Sequence, residues 1–433
     1  MPSRRTFLAA LGTGALGALA GCTDGDPVDG RWYRAGYDDR NTGHAPRRRG
    51  PGSDPTVRWS ADVPESYHTP SPVLVDDRVY LGHASGWPSG QNVRVGLRVL
   101  DAGGGETRRD VTVTTLAGVD TSDARYLDSL VFADGALYVV AYDGLYSLTP
   151  DGEERWHVPM GGGPTNSIQR TGHPVVVDGT VYAPTASTTN DADAPEALYA
   201  VDAESGDVRW RYVPAKDAAL DARPGDPWTF PPAYADGVVY LGVLDHGVVA
   251  LDARDGTVRW RRQVRVYGPP TLADGRVYAS IESPSDERFH VVALDAASGE
   301  EDWRTTDDGS RFGRRIAAAG RRVYHRENLG TLVARDAATG EQVWRYAGAD
   351  NVYPGTPAVT DDALYVCVHD DDSTGVAALD PTTGEREGFA SASSSPVYAS
   401  LSLSDGLAVV VSSSGRAYAF EACSAGVAGH CLF

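Results

Sequence analysis

The sequence predicts an all-β protein, an eight-bladed β-propeller that is closed by pairing of its first strand with its last blade. Three observations support this fold. A turn motif recurs along almost the whole chain, a β-branched and aromatic pair lies about 20 residues before each turn, and the repeat length is roughly 41 to 54 residues. Units of this length with about four strands each are typical of propellers, in which a blade buries its faces only against its neighbours.

The turn motif reads Asp-x-x-x-Gly-x-x-x-Trp. Its glycine is explained by a positive φ, and its aspartate by hydrogen bonds from turn amides to the side chain. Degenerate copies have Arg109 in place of tryptophan, a shortened spacing before Trp156, or Gly388 with Phe389 beside it. The tryptophans predicted to dock structurally are Trp59, Trp156, Trp210, Trp260, Trp303 and Trp344.

The second signature is a short apolar run with a β-branched or leucine residue before tyrosine. Such runs, separated by Asp-Gly or Asp-Asp, predict antiparallel strands joined by tight turns. The pairs are Val79 Tyr80, Leu137 Tyr138, Val181 Tyr182, Val239 Tyr240, Val277 Tyr278, Val323 Tyr324 and Leu364 Tyr365, with a weaker eighth run at Leu407 to Val410.

The two ends of the repeat array predict how the ring closes. The last remnant, Val409 to Ala422, supplies three strands, whereas Thr56 to Val63 is an outer, tryptophan-bearing strand with no blade before it. Pairing of the first strand with the last blade removes the sheet edges that an open array would expose.

These turns resemble the tryptophan-docking repeats of the pyrroloquinoline-quinone (PQQ)-type propellers over about residues 56–422. That family includes quinoprotein alcohol dehydrogenases and non-catalytic lipoproteins similar to the B subunit of the outer-membrane protein assembly machine. The segment Trp32 to Pro46 resembles the lead-in that precedes such propellers. Fold resemblance does not choose among these functions.

The amino terminus predicts export and lipid anchoring. Arg4 and Arg5 form a twin-arginine signal, the apolar stretch from Phe7 to Ala20 is short for a membrane span, and Cys22 ends a lipobox. The alternative is an ordinary apolar helix with an incidental cysteine. The predicted organisation is a signal peptide (1–21), an anchor, linker and lead-in segment (22–55), the propeller (56–422) and a tail (423–433). We expect the protein on the outer face of the cell membrane.

Composition predicts a soluble, acidic surface. The formal net charge is −20, and Lys216 is the single lysine among 39 basic residues. Such a surface stays hydrated when salt screens repulsion, which favours a halophilic archaeal source, although an acidic mesophilic protein would share the net charge. Nucleic acid is not expected as a partner because phosphate binding needs concentrated Lys and Arg. We expect a monomeric propeller with an exported or membrane protein as its partner.

The cysteines are few. Cys423 and Cys431 lie close together near the carboxyl end, where an exported protein could form a small disulfide loop or keep two free thiols. Cys367, in an apolar strand, is predicted to be a buried small hydrophobe.

The residues that the quinoprotein resemblance implies for catalysis are missing. Those enzymes pack an adjacent Cys-Cys disulfide on the cofactor and bind calcium beside a catalytic Asp, but this chain has no adjacent cysteines and no Cys-x-x-Cys-His haem site. The zinc motif His-Glu-x-x-His and the Gly-x-Ser-x-Gly elbow are also absent. The acidic runs His369 to Asp372 and Asn190 to Asp193 could hold a hard cation, but are interpreted as hairpin tips. We therefore predict no catalytic residues, no metal, no PQQ or other cofactor, and no enzyme activity.

One pattern suggests a binding site. Aromatic residues precede the innermost strand of most blades and could form a ring at one mouth of the channel, where aromatic and arginine side chains favour partner binding. The alternative is that they fill the axis as core. The ring comprises Tyr67, Tyr126, Phe230, Tyr267, Phe312, Arg314, Tyr353 and Tyr398. The leading hypothesis is a protein-binding or scaffold module, ahead of a PQQ-dependent oxidoreductase and an extracellular carbohydrate or peptide binder.

Overall fold

The structure, a computed structural model, is all-β. It describes residues 31–64, 71–85, 92–117, 130–141, 143–160, 173–185, 197–214, 229–283, 288–305, 315–328, 330–348, 351–353, 355–395, 397, 400–404, 406–422, 426–427 and 430–431, and these contain strands but no helix. Eight antiparallel sheets of four or five strands form the propeller, and a two-stranded ladder lies near the carboxyl end. The predicted fold class is confirmed.

Each blade has four main strands, which follow one another in sequence from the axis outward, except that the outer strand of blade 8 comes from ahead of blade 1. The innermost strands are Val73–Val75, Leu130–Ala133, Val175–Val177, Ala233–Ala235, Thr271–Ala273, Ile316–Ala319, Ala358–Val359 and Ser402–Ser404. The second strands are Arg78–Ser85, Ala136–Ala141, Thr180–Thr185, Val238–Val243, Arg276–Glu282, Arg322–Asn328, Leu364–Asp370 and Leu407–Ser412.

The third strands are Asn92–Asp101, Gly144–Leu148, Ala197–Asp202, Gly247–Asp252, Phe289–Asp295, Thr331–Asp336, Ser373–Leu379 and Arg416–Ala422. The outer strands are Thr107–Ala117, Glu154–Pro159, Val208–Tyr212, Val258–Arg262, Glu301–Arg304, Gln342–Tyr346, Arg386–Ser393 and, for blade 8, Pro55–Asp62. The shorter strands are Arg31–Trp32, Arg265–Val266, Asn351–Val352, Gly426–Val427 and His430–Cys431.

The tight turns between the first and second strands of blades 2 to 5 follow from their Asp-Gly sequences. In blade 4, Asp236 and Gly237 have φ values of 49° and 75°, and the flanking residues Ala235 and Val238 are paired. Two consecutive residues with positive φ form the turn type whose twist matches an antiparallel hairpin. The hairpin therefore forms from local sequence.

The ring closes as predicted. Strand Pro55–Asp62 pairs antiparallel with Arg416–Ala422, from Thr56 opposite Glu421 to Asp62 opposite Arg416. The amino-terminal strand thus becomes the outer strand of blade 8, and the ring has no unpaired junction between its first and last blades.

The conserved turn of the repeat is where neighbouring blades meet. In blade 5, the Gly299 amide donates to the Asp295 carbonyl, and Gly299 has a φ of 73°. A Cβ at Gly299 would lie 2.6 Å from the Trp260 ring of blade 4. Trp260 Nε1 also donates to the Ala296 carbonyl at 2.9 Å. The glycine therefore serves both the turn conformation and the docking of the preceding blade.

Candidate functional site

The lead-in segment, residues 31–50, lies inside the ring. One edge of each inner strand pairs with the second strand of its blade, and the other edge faces the axis. The backbone of the segment forms hydrogen bonds with the inner hairpins of seven blades on this side. The contacts are Trp32 opposite Leu74, Tyr33 O to Phe132 N, Asp39 O to Tyr234 N, Arg40 O to Leu272 N, Thr42 O to Ala318 N, Gly43 O to Val359 N, and Arg49 O to Gly406 N. The chain thus fills this part of its own axis.

Two side chains of the lead-in segment make the other contacts with the blades. Arg34 contacts blade 3, the one blade missing from the backbone contacts above, and Asn41 binds carbonyl groups ahead of blades 4 and 5. Arg34 Nη2 lies 2.9 Å from Nδ1 of His173, which is two residues before the inner strand of blade 3. Asn41 Nδ2 donates to the carbonyls of Pro232 at 3.2 Å and Pro270 at 2.9 Å. Arg34 also donates to Asn41 Oδ1 at 2.8 Å. These bonds hold the segment against blades 3 to 5.

Burial shifts the pKa values of the charged groups on the axis. Burial lowers the pKa of Arg34 to about 10, against the opposing effect of Asp39 and Asp38. Burial also lowers the pKa of His173 well below its ordinary value, and the charges of Arg34 and Arg315 act in the same direction. For Asp38, burial raises the carboxyl pKa, although Thr42 donates hydrogen bonds to it. At neutral pH the pair of Arg34 and His173 therefore carries one positive charge.

The structure describes three members of the predicted aromatic ring, and each packs into its surroundings. Tyr353 is 6% exposed and lies in the core, with its hydroxyl 3.4 Å from Thr374 Oγ1. Tyr267 is half-buried and donates to Glu282 Oε2 at 2.6 Å. Phe230 packs partly buried against the core shared by blades 4 and 5. Tyr67, Tyr126, Phe312, Arg314 and Tyr398 lie outside the described residues.

The predicted export and cysteine sites are described only in part. Arg4, Arg5, Cys22 and Cys423 lie outside the described residues, and the backbone of Cys431 pairs with Gly426. Cys367 is a buried free thiol, and burial raises its pKa to about 12. Among the residues described, no helix has the length and apolarity needed to span a bilayer.

Two open grooves flank blade 7, on the face where the lead-in segment leaves the axis. The groove between blades 6 and 7 encloses about 990 Å³ and is lined by His44, Arg321 and Arg322. The groove between blades 7 and 8 encloses about 800 Å³ and is lined by Arg47 and Arg49.

Beside the second groove, blade 7 lacks a docking tryptophan. Gly388 stands in its place, and a side chain there would collide with the carbonyl of Ser53. The Tyr365 hydroxyl instead donates to the Gly52 carbonyl at 3.3 Å. The linker that leads to the closing strand therefore takes the position that a tryptophan occupies elsewhere.

The acidic runs named above are the candidate cation sites of this chain. Within the described ranges, no group of three or more His, Cys, Asp or Glu side chains is placed to hold a metal. In the acidic run of blade 7, Asp370 accepts a hydrogen bond from Arg386. The run Asn190 to Asp193 lies outside the described residues.

Comparison with known proteins identifies the family. Two stretches of the chain, residues 52–223 and 195–425, match the family described as outer membrane protein assembly factor BamB. The chain belongs to this family. The matched residues include nearly all of the propeller, so membership in the BamB family agrees with the resemblance deduced from the repeats.

Relatives of this BamB-family chain include two kinds of protein. It is 34% identical over 148 residues to the dehydrogenase subunit of a quinone-type alcohol dehydrogenase from Komagataeibacter europaeus, covering 31% of this chain and 19% of that subunit. It is 33% identical over 91 residues to BamB of Xanthomonas campestris, covering 21% of this chain and 20% of that protein. The matches thus span about a fifth of these relatives.

A solved structure extends the likeness to the whole fold. The quinohemoprotein alcohol dehydrogenase from Comamonas testosteroni superposes with a TM-score of 0.67 and 16% identity, over 90% of this chain and 80% of that one. At this identity the likeness shows the fold alone.

The dehydrogenase relatives overturn the prediction that the protein is not an enzyme. That prediction used the absence of motifs found in well-known active sites, whereas sequence similarity links this chain to alcohol dehydrogenases as well as to BamB. Proteins that share a fold can use different catalytic groups. The absence of known motifs therefore excludes only the kinds of active site that those motifs describe.

Proposed function

We propose that this protein is an exported, lipid-anchored propeller that binds a membrane or exported protein on the outer face of the cell membrane. The observation that carries the proposal is the lead-in segment, whose bonds fill the described part of the axis and fix the blades to one another. A partner then binds to the outer surface of the ring. Because the blades are already fixed to one another, the protein loses little conformational entropy when the partner binds.

The grooves beside blade 7 are the proposed contact surface. Each is lined by two arginines and also by acidic residues: Asp336, Glu341 and Asp361 between blades 6 and 7, and Asp362 and Glu387 between blades 7 and 8. Arginine is enriched where proteins bind each other, since its guanidinium both stacks and forms several hydrogen bonds. The proposed partner therefore offers carboxylates to these guanidinium groups and hydrogen-bond donors to the acidic residues beside them.

Site-specific crosslinking tests the contact surface. A photoreactive amino acid at Arg321, whose side chain is 87% exposed, should crosslink one membrane or exported protein. The matched control is Arg254, which is 84% exposed on blade 4. A partner captured equally from both positions, or from neither, would contradict the proposed groove.

A second candidate function is a quinone-linked oxidoreductase, which the dehydrogenase relatives favour. Purified protein would be mixed with PQQ and calcium, and its melting temperature and alcohol-dependent dye reduction would be measured. Ligand at a hundredfold excess over its dissociation constant adds about 2.7 kcal/mol to folded-state stability. A clear shift accompanied by dye reduction would establish this function, and neither result affects the crosslinking test.

A further inference from the structure

A buried histidine lies where blade 1 meets the closing strand, Pro55–Asp62. His83, in the second strand of blade 1, is 1% exposed. Its ring covers Gly96 of the third strand, where a Cβ would lie 2.3 Å from the ring. Because alternate residues of a strand share a face, His83 is on the same side as Leu81, which belongs to the core shared with blade 8. The imidazole therefore lies in the junction between blades 1 and 8.

Asp110 connects this imidazole to two arginines. Its Oδ1 lies 3.4 Å from His83 Nε2 and accepts from Arg94 Nη2, also at 3.4 Å. Its Oδ2 accepts from Arg98 Nη2. Arg98 Nη1 in turn donates to the carbonyl of Asp62, the last residue of the closing strand, at 2.9 Å. A chain of hydrogen bonds thus runs from His83 to the closing strand.

The charges of this cluster favour a neutral imidazole. One carboxylate, Asp110, already faces two guanidinium groups. On the closing strand, the Asp62 carboxylate is paired with Arg416 of blade 8 at 3.0 Å. Among the described residues, His83 Nδ1 has no hydrogen-bond partner, so a proton added there would lack an acceptor. A buried donor without an acceptor is costly, and a third positive charge adds to that cost.

The pKa of His83 has the direction that these contacts require. Burial lowers this pKa from its ordinary value of 6.5, and the charges of Arg98 and Arg94 act in the same direction, against that of Asp110. The unfolded state therefore takes up the proton first. The stability contributed by neutral His83 is then complete above pH 6.5 and is lost as the pH falls below that value.

We infer that protonation of His83 detaches Arg98 from the closing strand, so that the junction between blades 1 and 8 is an acid-sensitive latch. Imidazolium repels the two arginines and competes with them for Asp110. Arg98 holds the end of the closing strand, so its displacement loosens that strand. Blade 8 is the blade whose strands come from both ends of the chain, and the ring therefore opens most readily there.

Hydrogen exchange of the full chain tests the latch. Mass spectrometry at pH 7 and at about pH 5, between the ordinary pKa values of His and Asp, gives the protection of each peptide after correction for the intrinsic effect of pH. The peptide that contains Pro55–Asp62 should lose protection in acid, whereas the outer strand of blade 4, Val258–Arg262, should keep it. Equal protection of the closing strand at the two pH values would overturn the inference.

A pair of variants connects the acid effect to His83. His83→Gln cannot become charged but keeps a side-chain donor for Asp110, so the closing strand should stay protected at both pH values. The control His290→Gln removes another buried imidazole, in blade 5, and should keep the acid-induced loss of the parent. The same loss in both variants would contradict a role for His83. If His83→Gln does not fold, the comparison of the parent at the two pH values still decides whether the latch opens.

Discussion

At the residue scale, single carbonyl groups join neighbouring blades. The Ala337 carbonyl of blade 6 accepts from Tyr278 at 3.1 Å and from Trp303 Nε1 at 3.0 Å, both from blade 5. The same convergence occurs at Ala296 with Tyr240 and Trp260. The tyrosine of one signature and the tryptophan of the other therefore act together across each of these junctions.

Replacing Tyr278 with Phe should show this bond directly. Loss of the hydroxyl should lower the free energy of unfolding at pH 7 by about 1 kcal/mol, as for a typical hydrogen bond whose acceptor keeps a second partner. Denaturant unfolding of the parent and variant measures the difference. Equal midpoints would mean that Trp303 alone satisfies Ala337.

The pH dependence of the same variant provides a second measurement. Burial raises the pKa of Tyr278 to about 12 from an ordinary value of 10. The folded state then holds a proton that the unfolded state releases, so this stabilisation is complete below pH 10 and is lost as pH rises toward 12. Between these values the stability of Tyr278→Phe should fall less steeply than that of the parent. If the stability of the parent and the variant fell equally with pH, the raised pKa of Tyr278 would be contradicted.

At the element scale, two glycines of blade 5 separate the turn requirement from the docking requirement. Gly299 and Gly275 have φ values of 73° and 72°, but only at Gly299 would a Cβ meet a neighbouring side chain, the Trp260 ring. Gly275→Ala should cost about 1–2 kcal/mol for the left-handed backbone. Gly299→Ala should cost a further 1–3 kcal/mol or so, because the ring must move. Thermal unfolding of both variants gives the comparison, and equal losses would exclude the docking role.

The closing strand is the element on which the ring depends most. Deletion of Thr56 to Val63 exposes the edge of Arg416–Ala422 and removes Trp59, whose Nε1 donates to the Ala102 carbonyl at 2.8 Å. Loss of a buried tryptophan alone costs about 3 to 5 kcal/mol. The truncated protein should aggregate or melt far below the parent, as light scattering and calorimetry would show. Removal of residues 423–433 is the control and should leave melting nearly unchanged.

At the scale of the whole molecule, the proposed membrane attachment depends on one thiol. Cys22→Ser should leave the propeller folded but release it to the medium or leave an uncleaved precursor, because a lipid on Cys22 is the proposed anchor. Fractionation and mass spectrometry of the mature amino terminus measure both outcomes. Mature, membrane-bound Cys22→Ser protein would disprove the lipid anchor but would leave the proposed partner groove untested by this experiment.

The sequence by itself determined the blades and the closure. Strands alternate with Asp-Gly turns, and positive φ at residues such as Asp236 and Gly237 is a local property that the residue types specify. The sequence also predicts how the ring closes. The first outer strand has no blade before it, and the last blade lacks an outer strand, so the two are expected to pair. Local pattern and repeat count were therefore sufficient for the architecture.

Only the tertiary structure decided which groups the docking tryptophans contact and what fills the axis. The repeats predicted Trp260 as a docking residue, but its contacts with Gly299 and with the Ala296 carbonyl of the next blade were identified only in the structure. The bond from Asn41 to the Pro270 carbonyl spans 229 positions in sequence. Such contacts, including the pairing of Arg34 with His173, exist because ring closure brings distant residues to one axis, and no local pattern encodes that distance.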